Sequence, residues 1–201
     1  LHFLAHAREL GPKLRKGDTF VDILESSDRE RITTWIRNQP FIKYDTVRNT
    51  ALVHAGIYPS WDLQKALDLS SEVCRLLTDE SLIDDYLHGL YGDTPSVWSE
   101  QLEGAERSRF ITNAFTRMRF LEQATKLNLQ EKGSLLTSEA KLQPWYTAED
   151  RRTKNTLILF GHWSSLELSE DTCQSFNIRP LDTGAVWGGQ LTAFDIDSHS
   201  T

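Results

Sequence analysis

Cysteine is almost missing from the chain: Cys74 and Cys173 are the only two, they form no C-x-x-C, and neither has a histidine or second cysteine close by in sequence. A disulfide framework and a thiolate zinc site are therefore excluded as the basis of the fold. No apolar run approaches the length that crosses a bilayer, which argues against a helical membrane span. The opening LHFLAHAREL carries an A-x-A triplet at Ala5 and Ala7 but no basic leader and no long apolar stretch, so it is expected to be a helix rather than a secretion signal, and the protein cytoplasmic. Positive charge is also scarce, with 22 Lys and Arg against 29 Asp and Glu and a formal net charge of -7. Bulk nucleic-acid binding is excluded by that balance, and an anionic substrate needs a local basic patch or bound cations. Neither a P-loop nor a G-x-S-x-G elbow is present, which removes the common nucleotide-cradling and serine-hydrolase arrangements.

What remains is an ordinary globular composition, 39% hydrophobic and 25% charged over 201 residues, enough for one domain with its own core, taken as residues 1–201. Two stretches share a design. NTLILFGHWS, from Asn155, and TALVHAGIYP, from Thr50, each run through apolar residues into a histidine beside or near a glycine. Such runs read as buried strands, so His162 and His54 stand where a strand leaves its sheet. The nearby Gly161 and Gly56 are expected to let backbone or ligand approach the imidazoles. Either histidine alone is equally readable as a partly buried ring bonded to a carbonyl. Two of them favour a shared site, because open sheets bind ligands beyond the carboxyl ends of their strands.

Along the rest of the chain, Gly11, Pro12 and Gly17 mark a loop after the opening helix. RERITTWIRN follows as a helix with Ile32, Trp35 and Ile36 on one face and Pro40 as its stop. FIKYD and TALVHA, joined by TVRN, form an expected hairpin. Helical periodicity returns from Ser60 to about Leu90, and the polar loop YGDTPSVWSE comes next. In RSRFITNAFTRMRF, Phe110, Ile111, Ala114, Phe115 and Met118 fall on one side of a helix and Arg109, Asn113, Thr116 and Arg117 on the other, with Arg119 near the end. That polar side is either a solvated face or a fork of donors for phosphate oxygens. Residues 121–154 are polar, with short strands expected near 126–130, and TLILF, FNIRPLD and QLTAFDI are expected strands. Helices first and strands later predict a layered α/β or α+β domain.

LDTGAVWGG contains the D-T-G-A triplet of aspartic proteases, but the helical upstream half is unlike an all-β protease, and a short motif needs its context. A metal-assisted phosphohydrolase fits better, with the histidines as ligands and Asp93 and Asp182 as further ligands or as groups that orient them. HAGIYPSWDLQKA, YGDTPSVWS, RFITNAFTRMRF, FGHWSSLE and LDTGAVWGGQLTAF occur in that order. Together they resemble the bacterial symmetrical diadenosine tetraphosphatases, members of the calcineurin-like metallophosphatases. The resemblance covers nearly the whole chain; its arginine-bearing block argues against the related phosphoprotein phosphatases.

That resemblance implies the C-terminal part of an αββα sandwich with a helical insertion, and a two-metal centre holding Mn²⁺, Co²⁺ or Mg²⁺ in which His54 and His162 are ligands. It implies cleavage of diadenosine tetraphosphate into two ADP, with dinucleoside polyphosphates as partners and capped RNA ends as a further candidate. Asn113, Arg117 and Arg119 are expected to grip the polyphosphate, Asp182 to orient a ligand or close the turn beside the metals, and Trp98, Trp163 or Trp187 to stack on adenine or pack in the core. The remaining family ligands belong to G-D-x-H-G, G-D-x-x-x-R-G and G-N-H-D motifs, none of which is in this sequence. Leu1 is accordingly expected to be a point where a longer chain is cut, and the isolated chain to be inactive, which leaves a nucleotide- or partner-binding remnant as the rival reading.

Overall fold

Alternating burial builds the first sheet. In β1 (Ile42–Asp45) and β2 (Thr50–Val53), Ile42, Ala51 and Val53 point into the core while Leu52 is exposed, the period-two pattern of a strand packed on one side. The two pair antiparallel through a turn in which Asp45 Oδ1 accepts from the amides of Val47 at 2.8 Å and Arg48 at 3.0 Å. Asn49 closes that turn at φ 47°, a left-handed conformation its short amide tolerates. The computed structural model describes residues 1–135 and 141–198.

The strand β6 (Leu157–Phe160) lies parallel to β2, and β7 (Ile178–Pro180) lies parallel to β6, giving the order β1-β2-β6-β7. A parallel pair needs a crossover, supplied by α7 (Glu170–Phe176). Ser169 caps it by accepting from the Thr172 amide at 3.2 Å, and Asn177 ends it at φ 50°. A second, antiparallel sheet is ordered β4-β3-β5, from β3 (Phe120–Glu122), β4 (Lys126–Asn128) and β5 (Leu142–Pro144).

The helices supply the other layer. The short α1 (His2–Ala7) and α2 (Val21–Glu25) lead into α3 (Arg29–Arg37). The longest helix is α4 (Leu63–Thr78), capped by Asp62, whose carboxylate accepts from the Lys65 amide at 2.9 Å. It buries Ala66, Leu69, Val73 and Leu77, the one-face stripe expected of an amphipathic helix. After α5 (Ile83–Gly89), α6 (Gly104–Arg117) drives Phe110, Ile111, Ala114 and Phe115 into full burial. Aromatic contacts tie the layers together: Trp61 lies 5.5 Å from Phe115, and Trp145 lies 5.4 Å from Phe160.

The mixed α/β class holds, with two small sheets. Several local expectations do not. QLTAFDI forms no strand, only isolated bridge positions at Gln190, paired with Gly184, and at Asp195, and Leu191 is 93% exposed with no core to face. Trp35 is 65% exposed, and α3 instead buries Thr33, whose hydroxyl is absorbed by the carbonyls of Arg29 and Glu30 at 3.0 Å. Helix α7 interrupts the late strands where none was expected. Within the polar segment, residues 136–140 lie outside the described residues. Among the described residues no helix is long and apolar enough to cross a membrane.

Gly56 is fixed by packing rather than by the neighbouring imidazole. A Cβ there would fall 2.7 Å from Trp145 Cε2 and 2.9 Å from Met118 Cε. Gly56→Ala should therefore cost about 1–3 kcal/mol by overpacking, read as a lower urea midpoint at unchanged slope. Gly17→Ala, which meets nothing within 4 Å, should be neutral in the same measurement. Equal midpoints for the two variants would show that Trp145 is free to shift.

Candidate active site

Three adjacent parallel strands end at one edge, and each hands over a polar side chain. Val53 pairs with Phe160, so His54 leaves β2 beside Gly161 and His162 leaving β6; the Gly161 amide donates to the His54 carbonyl at 2.9 Å. The strand β7 runs out through Leu181, whose amide donates to the Phe160 carbonyl at 2.7 Å, into Asp182. The two rings meet with His54 Nε2 3.2 Å from His162 Nδ1 and centroids 4.9 Å apart.

The backbone reaches this geometry at His162 itself, which sits at φ 66°, where a non-glycine residue is strained. Gly161 meets only ordinary van der Waals neighbours, Asp182 Cβ at 3.7 Å and the His54 carbonyl at 3.8 Å. The expectation that the glycines let backbone or ligand approach the imidazoles is thus corrected at Gly56, whereas at Gly161 the His54 backbone does lie alongside.

Electrostatics keep the pair neutral. Burial, then the charge of Arg119, lowers the His54 pKa. Burial pushes His162 down to about 3, with Arg119 and His54 adding to the effect. Neutral imidazole is the metal-binding form. Ligand nitrogens on one tetrahedral ion with bonds of about 2.0–2.1 Å stand roughly 3.3 Å apart, which the 3.2 Å separation matches. His54 and His162 therefore fit as two ligands of a divalent metal. Among the described residues no third His, Cys or carboxylate atom closes a cluster with them.

Arg119 is half-buried against the pair. Its Nη2 donates to the His162 carbonyl at 2.9 Å, while its Nε is buried with no partner. Asp182 is near enough to raise the His54 pKa by its charge, and its carboxylate accepts from the Gly184 amide at 3.2 Å, so it closes the turn after β7. The expected arginine fork is built differently from a solvated helix face. Asn113 is only 1% exposed, and its amide donates to the Gly92 carbonyl at 3.0 Å. Arg117 reaches Asn113 Oδ1 at 3.1 Å, the Gly92 carbonyl at 3.3 Å and Asp93 at 2.8 Å. Asp93 is thus held by an arginine, and by Gln130, rather than beside the histidines.

A cavity of about 760 Å³ is lined by His54, Asp93, Asn113, Thr116 and Arg117, with Arg15 and Tyr91 also facing it; His162, Arg119 and Asp182 lie outside its lining. Arg15 and Tyr91 were not foreseen; they come from loops without periodicity, and no sequence signal marks them. The aromatic candidates separate. Trp163 is 2% exposed and packs 4.6 Å from Phe120, and Trp98 packs 5.1 Å from Trp61 under the Arg107 guanidinium. Only Trp187, 83% exposed, has a free face.

No family model matches the chain. It is similar to curated proteins described as "Bis(5'-nucleosyl)-tetraphosphatase, symmetrical". That of Pseudomonas syringae pv. syringae (strain B728a) is 43% identical over 198 residues, 98% of this chain and 67% of the relative. Those of Pseudomonas fluorescens (strain SBW25) and Pseudomonas putida (strain W619) are each 44% identical over 98% of this chain, which covers 69% and 67% of them. The chain therefore spans about two thirds of their length.

The depressed His162 pKa has a consequence for stability. The unfolded chain binds a proton at about pH 6.5 that the folded chain resists to about 3, so stability present above pH 6.5 is lost as pH falls toward 3. Urea unfolding at pH 7.5 and 5 should show a larger loss for the parent chain than for His162→Gln. Equal losses would mean that the imidazole is solvated.

Proposed function

Because the chain belongs to the symmetrical bis(5'-nucleosyl)-tetraphosphatases, we propose that its site serves the hydrolysis of diadenosine 5',5'''-P1,P4-tetraphosphate to two ADP. The observation that carries this is the His54–His162 pair on neighbouring parallel strands with Arg119 packed against it. His54 and His162 hold a divalent cation of the Mn²⁺, Co²⁺ or Mg²⁺ type. When bound, that ion supplies Lewis-acid polarisation of a phosphoryl oxygen and activation of water. The fold is read as the C-terminal part of a calcineurin-like αββα sandwich carrying helices α4 to α6 as its insertion.

The protein's own part is electrostatic. Arg119 places a half-buried guanidinium beside the imidazoles, where low dielectric strengthens its attraction for a phosphate. Arg117, braced by Asn113, presents a second guanidinium to the cavity, so the pair grips successive phosphates of the bridge. Asp182 holds its turn and biases the His54 ring by its charge. Trp187 offers its open face to a purine.

The second reading is a module that binds a nucleotide polyphosphate without cleaving it. The absence of a third metal-ligand side chain at the pair, among the described residues, favours it. Incubation of the chain with diadenosine tetraphosphate and Mn²⁺, with nucleotides separated by chromatography, tests both. ADP as sole product, lost in His54→Ala and about 10- to 100-fold poorer in kcat/KM in Arg119→Lys, supports the hydrolase. ATP plus AMP overturns it, and saturable binding without products supports the module.

A further inference from the structure

The opening helix carries histidines at positions four apart. His2 and His6 of α1 therefore share a face, the spacing with which two imidazoles reach one ion from a single helix. The loop after α1 returns at Asp18, and one ligand atom from each of His2, His6 and Asp18 lies within 4.8 Å of the others. His2 Nε2 stands 3.4 Å from Asp18 Oδ1. That is long for an N–H···O hydrogen bond and close to the edge of a tetrahedral metal site with about 2.0–2.2 Å bonds.

The surroundings hold these side chains in place. His2 Nδ1 is 2.8 Å from the Tyr91 hydroxyl, the outer contact that fixes the ring and leaves Nε2 to a metal. The Arg15 amide donates to Asp18 Oδ2 at 2.7 Å, so Oδ1 is the oxygen turned toward His2. His6 Nε2 is buried with no partner, and the Gly11 backbone covers that ring so closely that a Cβ would fall 2.6 Å from it. Phe20 packs against both imidazoles, at 5.6 Å and 5.5 Å. His2 and Asp18 also face the 760 Å³ cavity, which leaves one coordination position open on that side.

We propose that His2, His6 and Asp18 bind one Zn²⁺-class transition-metal ion, at a site separate from the His54–His162 pair. Two imidazoles and one carboxylate suit Zn²⁺, Co²⁺ or Ni²⁺ far better than Mg²⁺ or Ca²⁺, which demand oxygen ligands. The ion ties the loop through Asp18 to α1, and water or a phosphate oxygen completes its shell from the cavity. The inference does not rest on the proposed hydrolase function.

Co²⁺ is the probe, since a four-coordinate ion has intense visible bands. In the His54→Ala/His162→Ala background, the chain should take up one equivalent with those bands. Adding His6→Ala or Asp18→Asn should weaken uptake at least 10-fold, and Tyr91→Phe about 10-fold. In the same His54→Ala/His162→Ala background, one equivalent of Zn²⁺ should protect His2 and His6 from diethyl pyrocarbonate, mapped by mass spectrometry. Absence of uptake in the double-alanine background, parent-like binding by both His6→Ala and Asp18→Asn, or modification of His2 and His6 unaffected by Zn²⁺ would each overturn the proposal.

Discussion

The parallel ladder between β2 and β6 is the constraint from which the site follows. Its register runs from Thr50 with Leu157 to Val53 with Phe160, and burial sets it: Ala51, Val53, Ile158 and Phe160 are all at most 4% exposed. A slip of one residue would turn β2 over, exposing Ala51 and Val53 and forcing the larger Leu52 into the core in their place. It would also move one histidine about 3.3 Å along its strand, enough to break a 3.2 Å nitrogen contact. The same packing that stabilises the sheet thus places two imidazoles against each other.

Behind the ladder, the end of α6 braces both histidines from one side. The Ala55 amide, one residue beyond His54, donates to the Phe115 carbonyl at 2.8 Å, and Arg119 donates to the His162 carbonyl at 2.9 Å. Phe110 and Phe115 anchor that helix in full burial, which fixes the backbone from which Arg119 reaches the His162 carbonyl. A half-buried cation beside neutral rings, with no carboxylate hydrogen-bonded to it among the described residues, leaves a local positive field. In a protein of net charge -7, it is a local reversal of sign.

The strand-end histidines were legible in the sequence because each terminates an uninterrupted apolar run, a signal that depends only on local order. The hairpin and the helices α4 and α6 were legible for the same reason. What escaped depends on contacts between distant segments. The polar side of α6 reads as solvated by periodicity, yet Asn113 is buried because the Gly92 turn folds over it and uses its amide. QLTAFDI has the alternation of a strand but joins its neighbours only at isolated bridges, at Gln190 and Asp195. His2 and His6 carry a visible four-residue spacing, but their third partner, Asp18, comes from a loop whose path the sequence does not reveal.

The two arginines near the histidines are not equivalent, and the difference decides how a polyphosphate would be received. Arg119 is half-buried, with Nη2 donating to the His162 carbonyl and Nε sealed from solvent without a partner, a donor that is costly to leave bare. Arg117 is already bound to Asp93, with the two side chains 38% and 40% exposed. A pair so open to water contributes little, and exchanging the carboxylate for a phosphate oxygen costs correspondingly little. Arg119 is therefore held against the histidines, whereas Arg117, tethered to Asn113 and Gly92, stands in the cavity wall in a solvent-open pair with Asp93.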